Sequence, residues 1–155
     1  MDIRLKKADI TDVKVLYEFQ IKAFKPLLEK YQDYDTNPGA ETIERTINRL
    51  DEQNSYYYFI QLDHQNIGAI RILSFGDLCM LKQVYVLPEY QGNGYAQQAM
   101  LLAESIHKGA VTWELDTIKQ ESKLRYLYEK MGYRLTGKEE KIKDGMDLVF
   151  FKKIT

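Results

Sequence analysis

The stretch Leu81-Lys82-Gln83-Val84-Tyr85-Val86-Leu87-Pro88-Glu89-Tyr90-Gln91-Gly92-Asn93-Gly94-Tyr95-Ala96 decides the fold. Its first half reads as the end of a strand stopped by Pro88, and its second half opens a helix with Ala96, Ala99, Met100 and Ala103 at helical spacing. Gly92 and Gly94 remove side chains where that helix begins, so its free N–H groups can approach an anion closely. The helix dipole adds about half a positive elementary charge at that end, which favours a phosphate or pyrophosphate. Small Ala96 keeps one side of the first turn open. A P-loop would need Gly-Lys followed by Ser or Thr, which is absent here. A Rossmann fingerprint would need glycine where Gln97 stands.

Outward from this loop, the pattern alternates between the two periods of regular structure. Ile3 and Leu5 mark a first strand; Asp9 or Thr11 then caps a helix carrying Val13, Leu16, Tyr17, Phe19 or Gln20, and Phe24. Pro26 is expected to interrupt that helical region, and Tyr31 to Gly39 reads as a loop. A second helix is expected from about Ala40 to Leu50. Tyr56 to Leu62 and Ile67 to Leu73 form a hairpin about the turn Asp63 to Asn66, and Leu78 to Val86 is the next strand. After the helix Gly94 to Ile106 come a strand at Val111 to Leu115, a helix at Glu121 to Met131, and strands at Tyr133 to Ile142 and Met146 to Ile154. The order β-α-α-β-β-β-α-β-α-β-β combines one βαβ crossover, which demands parallel pairing, with hairpins that demand antiparallel pairing. The expected fold class is α/β with a central mixed sheet flanked by helices, and residues 1–155 are expected to form one domain.

The pattern Gln91-x-x-Gly94-x-Ala96 after Val84-x-Val86-x-Pro88 resembles the acetyl-CoA loop of the GNAT (Gcn5-related N-acetyltransferase) superfamily. A second stretch, Leu127-Tyr128-Glu129-Lys130-Met131-Gly132-Tyr133, resembles that family's closing signature. The resemblance spans the chain, the N-terminal third in layout alone. It implies an N-acetyltransferase that passes an acetyl group from acetyl-CoA to a primary amine by direct attack, as a monomer or homodimer. In the family the strand before the loop splays from its parallel neighbour, and pantetheine lies in the cleft. The backbone of Val84 to Val86, Tyr85 included, would then bind the thioester and pantetheine. Val84 N–H would also polarise the thioester carbonyl. Gln91, Gly92, Asn93, Gly94, Tyr95, Ala96 and Gln97 would hold the pyrophosphate, and Tyr128 would protonate the departing thiolate. A non-catalytic acyl-CoA-binding regulatory module is the alternative.

Three departures from the family pattern bear on this reading. The loop lacks Arg or Lys, which leaves Lys119, Lys123 or Arg125 as distal helpers. Glu121 stands where the closing helix often opens with Asn. Met80 occupies the strand position where many relatives place a glutamate, which leaves Glu18, Glu114 or Asp116 acting through water, or water alone, as the base. Acceptor choice is expected in the first two helices and the loop Tyr31 to Gly39, with Asp33, Asp35 and Glu41 able to attract a cation.

Other residues have plainer readings. Leu124, Leu127, Tyr128 and Met131 form an ordinary buried stripe when the motif is ignored. Tyr56-Tyr57-Tyr58 reads as an aromatic-rich strand rather than a base-stacking platform, because neighbours face opposite sides. His64 and His107 have no Cys or acidic residue at ligand spacing, so no metal is expected, and His107 suits a helix C-terminal dipole. Cys79 is read as a small buried hydrophobe; as the sole cysteine it fits a reducing, cytoplasmic setting. Lys plus Arg total 22 against 23 for Asp plus Glu, without the basic excess that nucleic-acid binding demands. No apolar run approaches the ~20 residues of a membrane span.

Overall fold

The computed structural model describes residues 2–155. Seven strands form one mixed sheet in the order β1-β2-β3-β4-β5-β7-β6. They are β1 (Ile3–Lys7), β2 (Ser55–Leu62), β3 (Gln65–Ser74), β4 (Leu78–Val86), β5 (Thr112–Ile118), β6 (Arg134–Lys143) and β7 (Met146–Ile154). The helices are α1 (Val13–Tyr31), α2 (Ile43–Asp51), α3 (Tyr95–Ile106) and α4 (Ser122–Lys130). All pairings are antiparallel except β4 with β5, the crossover that the strand–loop–helix pattern requires.

The alternation of apolar residues puts a separate core on each face of the sheet. Tyr57, Phe59, Ala69 and Tyr85 pack with Leu16, Phe19 and Phe24 of α1 and Leu50 of α2. Tyr58, Ile60, Ile70, Trp113, Leu115 and Phe151 pack on the other face with Ala99, Met100 and Ala103 of α3 and Tyr128 of α4. Cys79 is fully buried in that second core, as expected of a small hydrophobe. Among the described residues, no helix is long and apolar enough to cross a membrane.

Several element boundaries differ from expectation. Pro26 does not interrupt α1, which runs through it to Tyr31. Proline removes one N–H, leaving the Lys22 carbonyl without its helical donor; Lys22, Lys25 and Pro26 are all exposed, so water serves there. α2 begins at Ile43 rather than Ala40 because Pro38–Ala40 forms a separate 3-10 turn, held by Asn37 accepting from Gly39 N–H at 2.7 Å. The β2–β3 turn is tighter than expected: Leu62 pairs with Gln65, and Asp63 and His64 both take positive φ, the geometry of a type I′ turn. β5 extends to Ile118, three residues past Leu115. His107 is the C-cap residue of α3, at the helix end where the sequence places it. Its Nε2 shares a 3.0 Å hydrogen bond with Tyr58 Oη, its ring meets Tyr56 and Trp113 edge-on, and burial lowers its pKa, favouring the neutral form.

Gly68 on β3 is needed for a close approach. It lies opposite Val86, and a Cβ there would collide with the Tyr85 carbonyl and come within 2.9 Å of Val86 Cα. Its lack of a side chain lets β3 hold the end of β4 tightly. Gly68→Ala should therefore cost roughly 1–3 kcal/mol, as overpacking in a dense core does. A chemical denaturation midpoint equal to that of the wild type would show that the β3–β4 contact is looser than described.

Candidate active site

β4 and β5 pair only through Leu78–Thr112, Cys79–Trp113 and Met80–Glu114. Beyond Met80 they diverge, while β4 stays paired to β3 and β5 to β7. The parting coincides with a register shift on β4: Arg71 pairs with Gln83 but Ile72 with Leu81, which leaves Lys82 as an extra residue. Cys79 and Leu81 point into the core below α3, and after the bulge Val84 and Val86 do so. Gln83, turned to the opposite face, is buried there between Tyr57 Oη at 3.2 Å and Gln20 Oε1 at 3.3 Å.

Strand geometry fixes where the backbone groups go. Leu87 N–H donates to Ile67 O on β3 at 2.8 Å, and the Tyr85 carbonyl also lies against β3. In an antiparallel pair the backbone groups of alternate residues face the same side, so those of Val84 and Val86 face the wedge between β4 and β5. Tyr85 is not brought into the wedge: its backbone serves β3 and its ring is buried in the core beneath α1. This corrects the expectation that all three consecutive residues line the cleft.

The loop after β4 is shaped by its own residues. Gly92 and Gly94 have φ of 83° and 77°, a region glycine occupies without strain. Gln91 Nε2 donates to Val86 O at 2.9 Å, and Asn93 Nδ2 to Tyr90 O at 3.2 Å, so both side chains brace the loop. Gly94 is the N-cap of α3 and offers no side-chain acceptor; the first helical bond is Gln98 N–H to Gly94 O at 3.1 Å. The N–H groups of Tyr95, Ala96 and Gln97 accordingly have no acceptor among the described residues. The Tyr95 ring itself is in the core, which leaves only its amide to the loop.

Tyr128, on α4, is buried in the core on the α3 face of the sheet. It is 8% exposed, with its ring against Tyr133 and Phe151, both with centroids 6.2 Å away. Its pKa is pushed up to about 12, first by burial and then by the negative charge of Asp116. The hydroxyl is thus held protonated at neutral pH, able to donate.

Candidate charges separate into structural and free ones. Glu121 accepts hydrogen bonds from Lys30 Nζ at 2.6 Å and Tyr31 Oη at 2.5 Å, a tie between α1 and the start of α4. Lys119 is paired with Glu139 at 2.9 Å, which leaves Lys123 and Arg125 as the cations of that region outside ion pairs among the described residues. Asp33 is buried and bonded to Thr36, and Glu41 is bidentate to Arg49 at 2.6 and 2.7 Å. Neither is available to attract a substrate, contrary to expectation. Glu18 lies along a separate groove with Tyr17, Ile21 and Gly39. Glu114 and Asp116 instead share a cavity of about 180 Å³ at the pinch of the wedge, with Met80, Lys82, Lys138 and Phe150.

The sheet thus opens between its two parallel strands, and a glycine loop and an uncapped helix start follow. The model of the acetyltransferase (GNAT) domain matches residues 53–135, and the chain belongs to that family. No curated protein shows significant sequence similarity to it. Among solved structures it is similar to the PaiA N-acetyltransferase of Thermoplasma acidophilum in complex with coenzyme A: 20% identity, 100% of both chains covered, TM-score 0.74. It is also similar to the ribosomal-protein-S18-alanine N-acetyltransferase of Escherichia coli, at 13% identity over 99% of this chain and 94% of that one, TM-score 0.79. A GNAT family acetyltransferase of Elizabethkingia anophelis with acetyl-CoA bound is 16% identical over 99% and 98%, TM-score 0.68. These likenesses establish the shared fold.

Space at the loop isolates one effect. A Cβ on Gly94 would meet nothing within 4 Å, so a substitution there acts through the backbone conformation and through whatever approaches the loop. Gly94→Ala should lower stability by ~1–2 kcal/mol, the cost of holding an L-residue in the left-handed region. Thermal unfolding of the variant at the wild-type temperature would contradict the positive φ.

Proposed function

We propose that the chain transfers the acetyl group of acetyl-CoA to a primary amine. The observation that supports this reading is the wedge: β4 and β5 pair only as far as Met80, the backbone of Val84 and Val86 faces the gap, and the uncapped amides of Tyr95 to Gln97 follow at the end of β4. Pantetheine is an extended chain with two amides, and the exposed edge of β4 offers it the bonds that β5 does not take. The pyrophosphate fits the start of α3, where Gly92, Asn93 and Gly94 let it approach the uncapped amides. Gln91 acts by bracing Val86, and Lys123 and Arg125 lie on α4 as candidate distal cations.

Acetyl-CoA supplies an acyl group activated as a thioester. Val84 N–H polarises the thioester carbonyl, and a preorganised donor of this kind supplies much of the rate enhancement in acyl transfer. Tyr128 donates a proton to the departing sulfur; an ordinary thiol's pKa of about 8.5 makes that a fair leaving group already. The amine has the larger barrier: with a pKa near 10.4, only ~0.1% is neutral at pH 7.4, equivalent to ~4 kcal/mol. A non-catalytic acyl-CoA sensor would need neither an acid at Tyr128 nor carboxylates at the pinch.

Acetyl-CoA at 100 times its dissociation constant should stabilise the fold by ~2.7 kcal/mol, raising the melting midpoint by roughly 5–10 °C. A midpoint unmoved by millimolar acetyl-CoA would overturn the proposal. Tyr128→Phe keeps the buried ring and removes only the hydroxyl, so its melting temperature should stay near that of the wild type. Its turnover, read as free thiol, should fall roughly 10²-fold. Undiminished turnover would make Tyr128 a packing residue only.

A further inference from the structure

The cavity at the pinch of the wedge carries charges of both signs. Trp113 and Leu115 point into the core under α3, so Glu114 and Asp116 turn to the opposite face of β5. Glu114 faces Met80 across the last ladder pair before the strands part, and Asp116 faces Phe150 of β7. Lys82, the bulged residue of β4, and Lys138 of β6 complete the wall, with Lys138 Nζ 4.4 Å above the Phe150 ring. None of these four charged groups belongs to an ion pair among the described residues.

Two free carboxylates and two free ammonium groups around one small cavity match a ligand that itself carries both signs. A polyamine would set its further cations against Lys82 and Lys138. The cavity, of about 180 Å³, opens to solvent with Lys82, Asp116 and Lys138 exposed at its mouth, and it accommodates a compact polar molecule. We propose that this cavity receives the acceptor, that the acceptor is a small zwitterion of the α-amino-acid class, and that Asp116 takes its ammonium proton. Glu114 and Asp116 hold the ammonium end, and Lys82 and Lys138 the carboxylate. The proposal rests on the acetyl-CoA reading of the wedge.

Asp116, rather than Glu114, is placed for the proton. It lies two residues further along β5, toward the open part of the wedge, and its charge acts on the Tyr128 hydroxyl approaching from the other face. Glu114 instead has Lys152 of β7 directly across the ladder. The groups that bear on Asp116 are Lys82, Glu140 and Lys138, with Glu114 beside it on β5 and Tyr128 on the other face of the sheet. Asp116 stays open to solvent at the cavity mouth; partial desolvation of its carboxyl raises its pKa, Lys82 and Lys138 lower it and Glu140 raises it, with a net upward shift. That shift makes it a better base than an ordinary aspartate.

The ammonium gives one proton to Asp116, and the neutral nitrogen attacks the thioester carbon. The C–N bond forms and the C–S bond breaks. Sulfur takes a proton from Tyr128, which regains one from the acylated nitrogen, and Asp116 returns its proton to solvent. One ammonium and one thioester yield one amide, one thiol and one proton.

The test uses the whole chain with acetyl-CoA and four kinds of acceptor: the common α-amino acids, their methyl esters, the corresponding decarboxylated amines, and spermidine. At least one amino acid should exceed its ester and amine by tenfold or more in kcat/KM. Lys82→Met and Lys138→Met should each erode that preference through KM, with the dissociation constant for CoA unchanged. Asp116→Asn should lower kcat at pH 7 by roughly 10²-fold or more. In the wild type kcat/KM should level off above the Asp116 pKa; in Asp116→Asn it should climb tenfold per pH unit toward the amine pKa. An ester, a simple amine or spermidine used as well as every amino acid, or no amino acid acetylated at all, overturns the zwitterion. An unchanged pH profile in Asp116→Asn overturns its role as base. Failure of CoA to bind in calorimetry defeats the underlying reading instead, which keeps the two apart.

Discussion

A strand that leaves its neighbour partway along exposes backbone donors and acceptors that must find partners elsewhere. That single constraint organises the molecule. Seven ladder pairs hold β4 to β3, seven hold β5 to β7, and three hold β4 to β5. The sheet therefore stays intact while its middle opens, because each parting strand is anchored on its outer side. Gly68 tightens one anchor by admitting the Tyr85 carbonyl, and the bulge at Lys82 reorients β4 where the parting begins. The wedge leaves backbone groups of β4 outside the β4–β5 ladder, where Gln91 already serves Val86 O and an extended, amide-bearing ligand can serve others.

The two faces of the sheet meet at that opening and do different work. α3 and α4 cover one face, with the glycine loop leading from the end of β4 into α3 and Tyr128 buried beneath α4. α1 and α2 cover the first half of the other face and leave the region over β5, β7 and β6 for a cavity. A few polar contacts join the halves: Lys30 and Tyr31 at the end of α1 bind Glu121, and Lys143 Nζ donates to Tyr31 O at 2.7 Å. Burial raises the Glu121 pKa, but the hydrogen bonds from Lys30 and Tyr31 outweigh it and keep the carboxylate charged. The Lys30 side is exposed and adds little stability by itself; the tie fixes where α4 starts, and Tyr128 lies seven residues on.

Most of the sheet was legible because its rules are local. Alternation, turn residues and the glycine loop marked every strand and the order of elements, and the two family motifs marked the loop and Tyr128. What escaped depends on packing between distant segments. Pro26 reads as a break, but a helix tolerates it where the orphaned carbonyl faces water. Asp33 and Glu41 look free in sequence, yet the fold delivers Thr36 and Arg49 to them. The outward turn of Tyr85 away from the wedge follows from strand parity, which needs one observed pairing to set its phase. The bulge did leave a trace: Cys79 and Leu81 alternate, and the two polar residues Lys82 and Gln83 then shift the apolar series to Val84 and Val86.

The missing strand glutamate also has a physical answer in the sheet. Met80 occupies that place, but position along one strand matters less than charge at the pinch. The ladder puts Glu114 on the rung with Met80, and Asp116 follows on the same face of β5. A carboxylate carried by either parallel strand projects into the same cavity, because cross-strand neighbours on one face lie only about 5 Å apart. Carboxylates on β5 thus stand beside the β4 position that Met80 fills. The bulge of β4 carries a cation, and Lys82 sets a positive charge against the two acids. The cavity thereby becomes bipolar, with a hydrophobic floor at Phe150 and Met80 and a proton-holding tyrosine on the other face of the sheet.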